Sequence, residues 1–177
     1  MKRPPPSLQA RALGWLAQRE HSRAELRRKL LRAALMPVRD PAGLVGAASG
    51  DTCAATAAAE VDPLLDRLQA QGLLSDERFV ASRLRARAPG RGTRRIQAEL
   101  AQHGLKLSGT PLQQLRDSEL QRASELWQRR FGAPASDARE HARQARFLAA
   151  RGFSGEVIRR VLAAGVQPSD DGLAEGD

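Results

Sequence analysis

Helix punctuation constrains this chain more than any other feature. Ser22-x-x-Glu25 is a capping-box pattern ahead of the apolar i, i+4 pair Leu26 and Leu30, and Pro37 stops that helix. Asp62-Pro63 reads as an N-cap and first helical residue before Leu64, Leu65 and Leu68, closed by Gly72. Ser75 opens a helix with Asp76 and Glu77 in its first turn, ended by Pro89 and Gly90. Thr93 is placed to cap a helix carrying Ile96 and Leu100, closed by Gly104, and Thr110-Pro111 starts a short one. Ser118-x-x-Gln121 is a second capping-box match, Asp137 a further cap, and Ser154 begins a helix ending at Gly165. With an opening helix through Leu8, Leu13 and Leu16, these signals predict nine helices. No stretch sustains period-2 alternation, so the fold class is all-α without a sheet.

The helices fall into three triplets. Leu30, Ala34 and Leu35 correspond to Leu100, Gly104 and Leu105, and again to Leu148, Gly152 and Phe153. In each, a leucine is followed four and five residues later by a small and an apolar residue. This is the signature of tandem three-helix repeats. The predicted organisation is an extended N-terminus over 1–7, repeat 1 over 8–74, repeat 2 over 75–117, repeat 3 over 118–166 and an acidic disordered tail over 167–177. The first two leucine anchors stand further apart than the second two. The excess falls in 36–60, rich in Ala, Gly, Ser and Thr without a helical apolar stripe. It reads as a flexible insertion, with an Ala-rich helical turn near Ala54 to Ala59 as the competing reading. Leu26, Leu30, Phe79, Ile96, Leu100, Trp127, Phe131, Phe147, Leu148, Phe153, Ile158 and Leu162 lie at helical spacing and are the expected core. Trp15 is expected there too.

Charge then narrows function. Lys and Arg number 29 against 20 Asp and Glu, and only Lys2, Lys29 and Lys106 are lysines. All four acids of the tail lie beyond residue 169, so the preceding chain is more basic than the whole. Guanidinium groups favour phosphates and carboxylates, which points to a polyanionic partner. No apolar run is long enough for a membrane helix, and the N-terminus does not read as a signal peptide. The single Cys53 allows no internal disulfide, and a cytoplasmic location is expected. With no tyrosine and six aromatics, a base-stacking sheet is not expected.

Four stretches resemble the RecX family of bacterial regulatory proteins, which modulate the RecA recombinase. They are REHSRAELRRKL (19–30), LLDRLQAQGLLSDERFVASRLRAR (64–87), GTRRIQAELAQHGL (92–105) and ARQARFLAARGFSGEVIRRVL (142–162), in the family's order. The resemblance implies tandem three-helix units in an elongated curved molecule. It also implies a non-enzymatic regulator that binds the RecA nucleoprotein filament and lowers its ATPase, strand-exchange and co-protease activities. The 36–60 insertion, the acidic tail and the loose third helix of repeat 2 depart from the family pattern.

Arginine density supplies the candidate site. Arg83, Arg85, Arg87, Arg91, Arg94 and Arg95 cluster around the Pro89–Gly92 turn, and no acid lies between positions 83 and 95. Arg27 and Arg28 on the second helix, and Arg143 and Arg146 in repeat 3, complete the predicted partner-binding set. Against this stands the reading that these are solvated helix faces, some paired with Glu25, Glu99 or Glu140. The expected partner is the RecA filament, with single- or double-stranded DNA contacted through the basic surface, and the protein is expected to act as a monomer without a membrane partner. A helix-turn-helix DNA-binding module is the alternative, although base-reading Asn is absent. No catalytic residue, metal ligand or cofactor is expected. His21, His103 and His141 are scattered, and Gly90-Arg91-Gly92 lacks the Gly-Lys-Ser/Thr of a phosphate loop.

Overall fold

The computed structural model describes residues 6–35 and 50–165, with side chains described for 6–35 and 54–164. Nine α helices occupy the described residues: α1 Leu8–Gln18, α2 Arg23–Leu35, α3 Gly50–Ala70, α4 Asp76–Arg87, α5 Thr93–Ala101, α6 Gly109–Asp117, α7 Glu119–Arg130, α8 Ala138–Ala150 and α9 Gly155–Gly165. A 3-10 turn at Ala88–Gly90 joins α4 to α5, and no strand occurs among the described residues. The fold is an all-α arrangement of tandem three-helix domains. The chain divides into two units. One holds residues up to Ser82 with His103–Leu105; the other holds Arg83–Gln102 with residues from Lys106 onward.

In the first unit, α2 packs on α1 and α3. Its core is aliphatic: Ala12, Leu26, Leu30, Val61, Leu64, Leu65, Leu68 and Leu74. Trp15 packs against it half-buried, with Lys29 Nζ 4.7 Å from the ring centre. Ser22 Oγ accepts from the Glu25 amide at 3.1 Å, as the capping box requires. The Glu25 carboxylate, however, turns to the Arg19 guanidinium rather than back to the cap. The amide at the α2 start is instead capped from α4, where Asp76 Oδ1 accepts from Arg23 N at 2.8 Å.

The expected loop over 36–60 is corrected in its second half, where the competing Ala-rich helical reading of Ala54 to Ala59 holds. The helix begins at Gly50 and runs through Pro63, so Asp62-Pro63 is not a helix start. Two physical reasons account for this. Ala54, Ala55 and Ala57–Ala59 are the strongest helix formers, and buried Ala57 and Val61 extend the stripe of Leu64, Leu65 and Leu68 upstream. Proline removes a donor to the carbonyl four residues earlier, that of exposed Ala59, which water can serve. Asp62 pairs with Arg27 instead of capping. Positions 36–49 of the insertion, the tail from 166, and residues 1–5 lie outside the described residues.

In the second unit, α7 packs against α6, α8 and α9. Its core comprises Ala123, Trp127, Leu148, Phe153, Ile158, Val161 and Leu162. Gln144 is buried within it and accepts from Trp127 Nε1 at 2.7 Å. Of the expected core residues, Phe131 and Phe147 are only half-buried. They form an edge-to-face pair, centroids 5.1 Å apart, beneath the guanidiniums of Arg130, Arg143 and Arg151. Asp137 and Ser154 cap α8 and α9. Ser118 does not cap α7; its hydroxyl donates back to Gln114 O at 2.8 Å, because the residue itself is helical and continues from α6.

Candidate functional site

The arginines of 83–95 ride on the end of α4, the 3-10 turn and the first turn of α5, all within the second unit. Arg83 and Arg87 converge on one carboxylate, with Glu99 Oε1 at 3.5 and 3.6 Å. Arg91 is half-buried. Arg85, Arg94 and Arg95 are exposed and have no acidic partner among the described residues. Arg94 and Arg95 sit in the first turn of α5, where a helix dipole disfavours positive charge.

That turn is held from α7. The spacing predicts Thr93 as the cap of α5, but Gly92 is the N-cap and supplies no side chain. The buried Glu119 fills the role, its Oε1 accepting from Thr93 N at 2.9 Å and placing a negative group at the helix start. Thr93 Oγ1 is buried without a hydrogen-bond partner among the described residues. One turn along α7, Arg122 is also buried. Its Nη1 donates to Ala88 O at 2.9 Å and Arg91 O at 2.7 Å, and its Nη2 to Leu115 O at 2.6 Å. Its Nε donates to Ser118 O at 3.3 Å. Burial lowers its pKa from the ordinary value, against the opposing field of Glu119.

A backbone junction completes the support. Gly92 N donates to Arg151 O at 2.9 Å. A Cβ at Gly92 would overlap the Gly152 carbonyl group and the Phe153 amide. Gly152, at φ +84°, would place a Cβ 2.5 Å from that of Arg95. Neither position accepts a side chain, so the α5 start lies directly against the chain between α8 and α9.

The other predicted residues divide. Arg27, in the first unit, holds Asp62 through Nε at 2.6 Å and Nη2 at 2.9 Å. These hydrogen bonds keep the Asp62 carboxyl below its ordinary value and raise Arg27. Arg143 holds Glu140 at 2.7 Å and lies 5.5 Å from the Phe131 ring centre. Both guanidiniums are thus occupied within the molecule, Arg143 by the Glu140 that the solvated-face reading names and Arg27 by Asp62, which it does not. Arg28 and Arg146 are exposed and have no acidic partner among the described residues. The structure brings the 83–95 arginines together and leaves Arg27 and Arg28 in the other unit.

Sequence reasoning does not single out Glu119, Arg122, Gly92 or Gly152 as functional. Glu119 passes for an ordinary first-turn acid, and nothing local separates Arg122 from the other arginines. The closest hint is Gly92 preceding an arginine pair. Among the described residues no group of three or more His, Cys, Asp and Glu could hold a metal ion, and no helix is long and apolar enough to cross a membrane. His21 is buried with Nδ1 3.1 Å from Glu25 Oε1, and His103 stacks edge-on to Phe79.

Comparison with known proteins identifies the family. Residues 75–106 match the family model described as RecX, second three-helix domain, and residues 117–162 match RecX, third three-helix domain. The chain is 48% identical over 167 residues to "Regulatory protein RecX" of Leptothrix cholodnii, covering 90% of each chain. It is 41% identical over 179 residues to the protein of the same name from Ralstonia pickettii, covering 100% of this chain and 97% of that one. The fold is similar to the crystal structure of RecX from Lactobacillus salivarius, with a TM-score of 0.58 at 16% identity, over 89% of this chain and 93% of that one. With like-named relatives matched along nearly its whole length, the chain belongs to the RecX family of regulatory proteins.

Proposed function

We propose that this protein regulates the RecA recombinase by binding the RecA nucleoprotein filament and lowering its ATPase, strand-exchange and co-protease activities. Membership of a family of regulatory proteins supports a regulator rather than an enzyme. The observation that carries the finer reading is the exposed set Arg85, Arg94 and Arg95, without acidic partners among the described residues, flanking a turn held by buried groups. A nucleoprotein filament offers phosphates and protein carboxylates, and arginine binds both bidentately. Arg83, Arg87 and Arg91 flank the set, with Arg28 and Arg146 as secondary contacts. Arg27 and Arg143, ion-paired at accessible positions, complete the proposed set.

The test is the steady-state ATPase of RecA on single-stranded DNA, titrated with this protein at two salt concentrations. Inhibition well below one copy per RecA protomer supports filament binding over simple competition for DNA. No effect at stoichiometric excess of folded protein rejects the regulatory reading and favours a plain DNA-binding module. Arg94→Glu with Arg95→Glu should abolish inhibition with helicity intact; retained inhibition would move the contact surface elsewhere.

A further inference from the structure

We propose that Glu119 and Arg122 are positioning residues for the arginine surface: the pair clamps the Ala88–Thr93 turn so that Arg91, Arg94 and Arg95 are presented from a fixed backbone. The inference rests on the partner-binding reading above and names what that reading needs beyond the arginines themselves.

Its first support is connectivity. Arg122 reaches two carbonyls of the turn, at sequence separations of 34 and 31, and a third at the end of α6, where terminal carbonyls lack helical donors. Glu119 reaches the first amide of α5 across 26 positions. Two residues one turn apart on α7 thereby tie α6, the turn and α5 to one helix.

Its second support is the choice of chemistry. Packing alone would be served by an apolar side chain, without the desolvation of a guanidinium. Arg122 instead adds a buried positive charge beside a segment holding six exposed or half-buried arginines. That arrangement is electrostatically adverse, and what it provides is direction. A planar fork with several donors fixes the orientation of each carbonyl it binds, and lysine, a point charge on a flexible stem, does not. Bidentate recognition of phosphate or carboxylate depends on such fixed geometry, because arginines on a mobile turn lose conformational freedom on binding.

A cycle of variants tests this, reading the concentration of protein that half-inhibits the RecA ATPase on single-stranded DNA. Arg122→Lys, with helicity intact and a thermal midpoint above the assay temperature, should need about tenfold more protein, with a shallower salt dependence. In the Arg94→Gln, Arg95→Gln background the same change should add less than about twofold, because the clamp acts through those side chains. A folded Arg122→Lys variant that inhibits like the unaltered protein overturns the proposal. So does an equal loss in both backgrounds, which a merely structural role would give. If Arg94→Gln with Arg95→Gln is itself without effect, the surface reading fails, and the clamp proposal falls with it.

Should Arg122→Lys not fold, Glu119→Gln replaces it, since the amide oxygen preserves an acceptor. Amide hydrogen exchange at Thr93 should then quicken together with a severalfold loss of inhibition. Faster exchange with undiminished inhibition overturns the proposal.

Discussion

The two units solve burial with different chemistry. The first encloses an aliphatic cluster of alanine, valine and leucine beside buried Phe79, His21 and Ser22, and its ion pairs Arg23–Asp66, Arg27–Asp62 and Arg78–Glu20 lie at accessible positions. Such pairs add little stability in water. The second mixes aromatic and aliphatic core residues with buried Glu119, Arg122 and Gln144, each hydrogen-bonded to groups distant in sequence. An aliphatic core tolerates small slips, because dispersion and hydrophobic burial have little directionality. A buried guanidinium does not, because each lost hydrogen bond leaves polar groups without water. The difference lies in the buried charges: Glu119 and Arg122 are held by long-range hydrogen bonds in the unit that carries Arg85, Arg94 and Arg95.

The sharpest break should come at the glycine junction. Gly152→Ala forces a Cβ toward Arg95 at positive φ, and should destabilise the second unit by at least about 3 kcal/mol. Gly90→Ala, with open space around it, should cost less than about 0.5 kcal/mol. Equal midpoints for the two variants in chemical denaturation would reject the close-packing account.

In the first unit, Leu65→Ala removes a fully buried side chain and should cost about 3 kcal/mol. Amide exchange should quicken across α1, α2 and α3. Losses confined to α7–α9 would contradict the division into two cores.

Acid sharpens the contrast further. Burial lowers the pKa of His21 from 6.5, helped by Arg19 and Lys29 and opposed by Glu25. An unfolded chain therefore takes up a proton that the folded one resists, and stability falls as pH drops through 6.5 toward the folded value. Burial alone would raise Glu25, but the Arg19 hydrogen bonds, with His21 and His103, hold it below 4.5. Stability thus continues to fall below pH 4.5, as the unfolded carboxyl protonates first. Denaturation midpoints should decline from about pH 7 to about pH 5, and decline less in His21→Gln. An unchanged midpoint over that range would refute the buried neutral imidazole.

The smallest effect is a gain. Gly14 lies inside α1, and a methyl group added there would meet no atom within 4 Å, so Gly14→Ala should stabilise the first unit by about 0.5–1 kcal/mol. A destabilised variant would mean that α1 presents a closer contact than its exposed face shows.

Much of this is legible in the chain wherever the governing forces are local. Ser22, Ser75, Asp137 and Ser154 each accept from the amide three residues on, as their spacing predicts. Leu26 and Leu30 are fully buried, as their i, i+4 spacing requires. Legibility fails at Pro63, where the cap-like pair Asp62-Pro63 outweighs the alanines upstream for any reading that counts only large apolar residues. It fails again at Thr93 and Ser118, two polar residues at helix starts that do not cap, because Glu119 and the carbonyl of Gln114 claim those positions.

The sequence by itself determined the all-α class, the helical repeat and most helix starts, because caps, propensities and apolar stripes act within a few residues of one another. Only the tertiary structure decided which arginines are held and which are exposed. Arg27 and Arg122 look alike in the chain, yet one meets Asp62 on α3 and the other is buried on four carbonyls. The work a guanidinium does depends on desolvation and on acceptors brought from distant segments, and neither exists until the helices have packed.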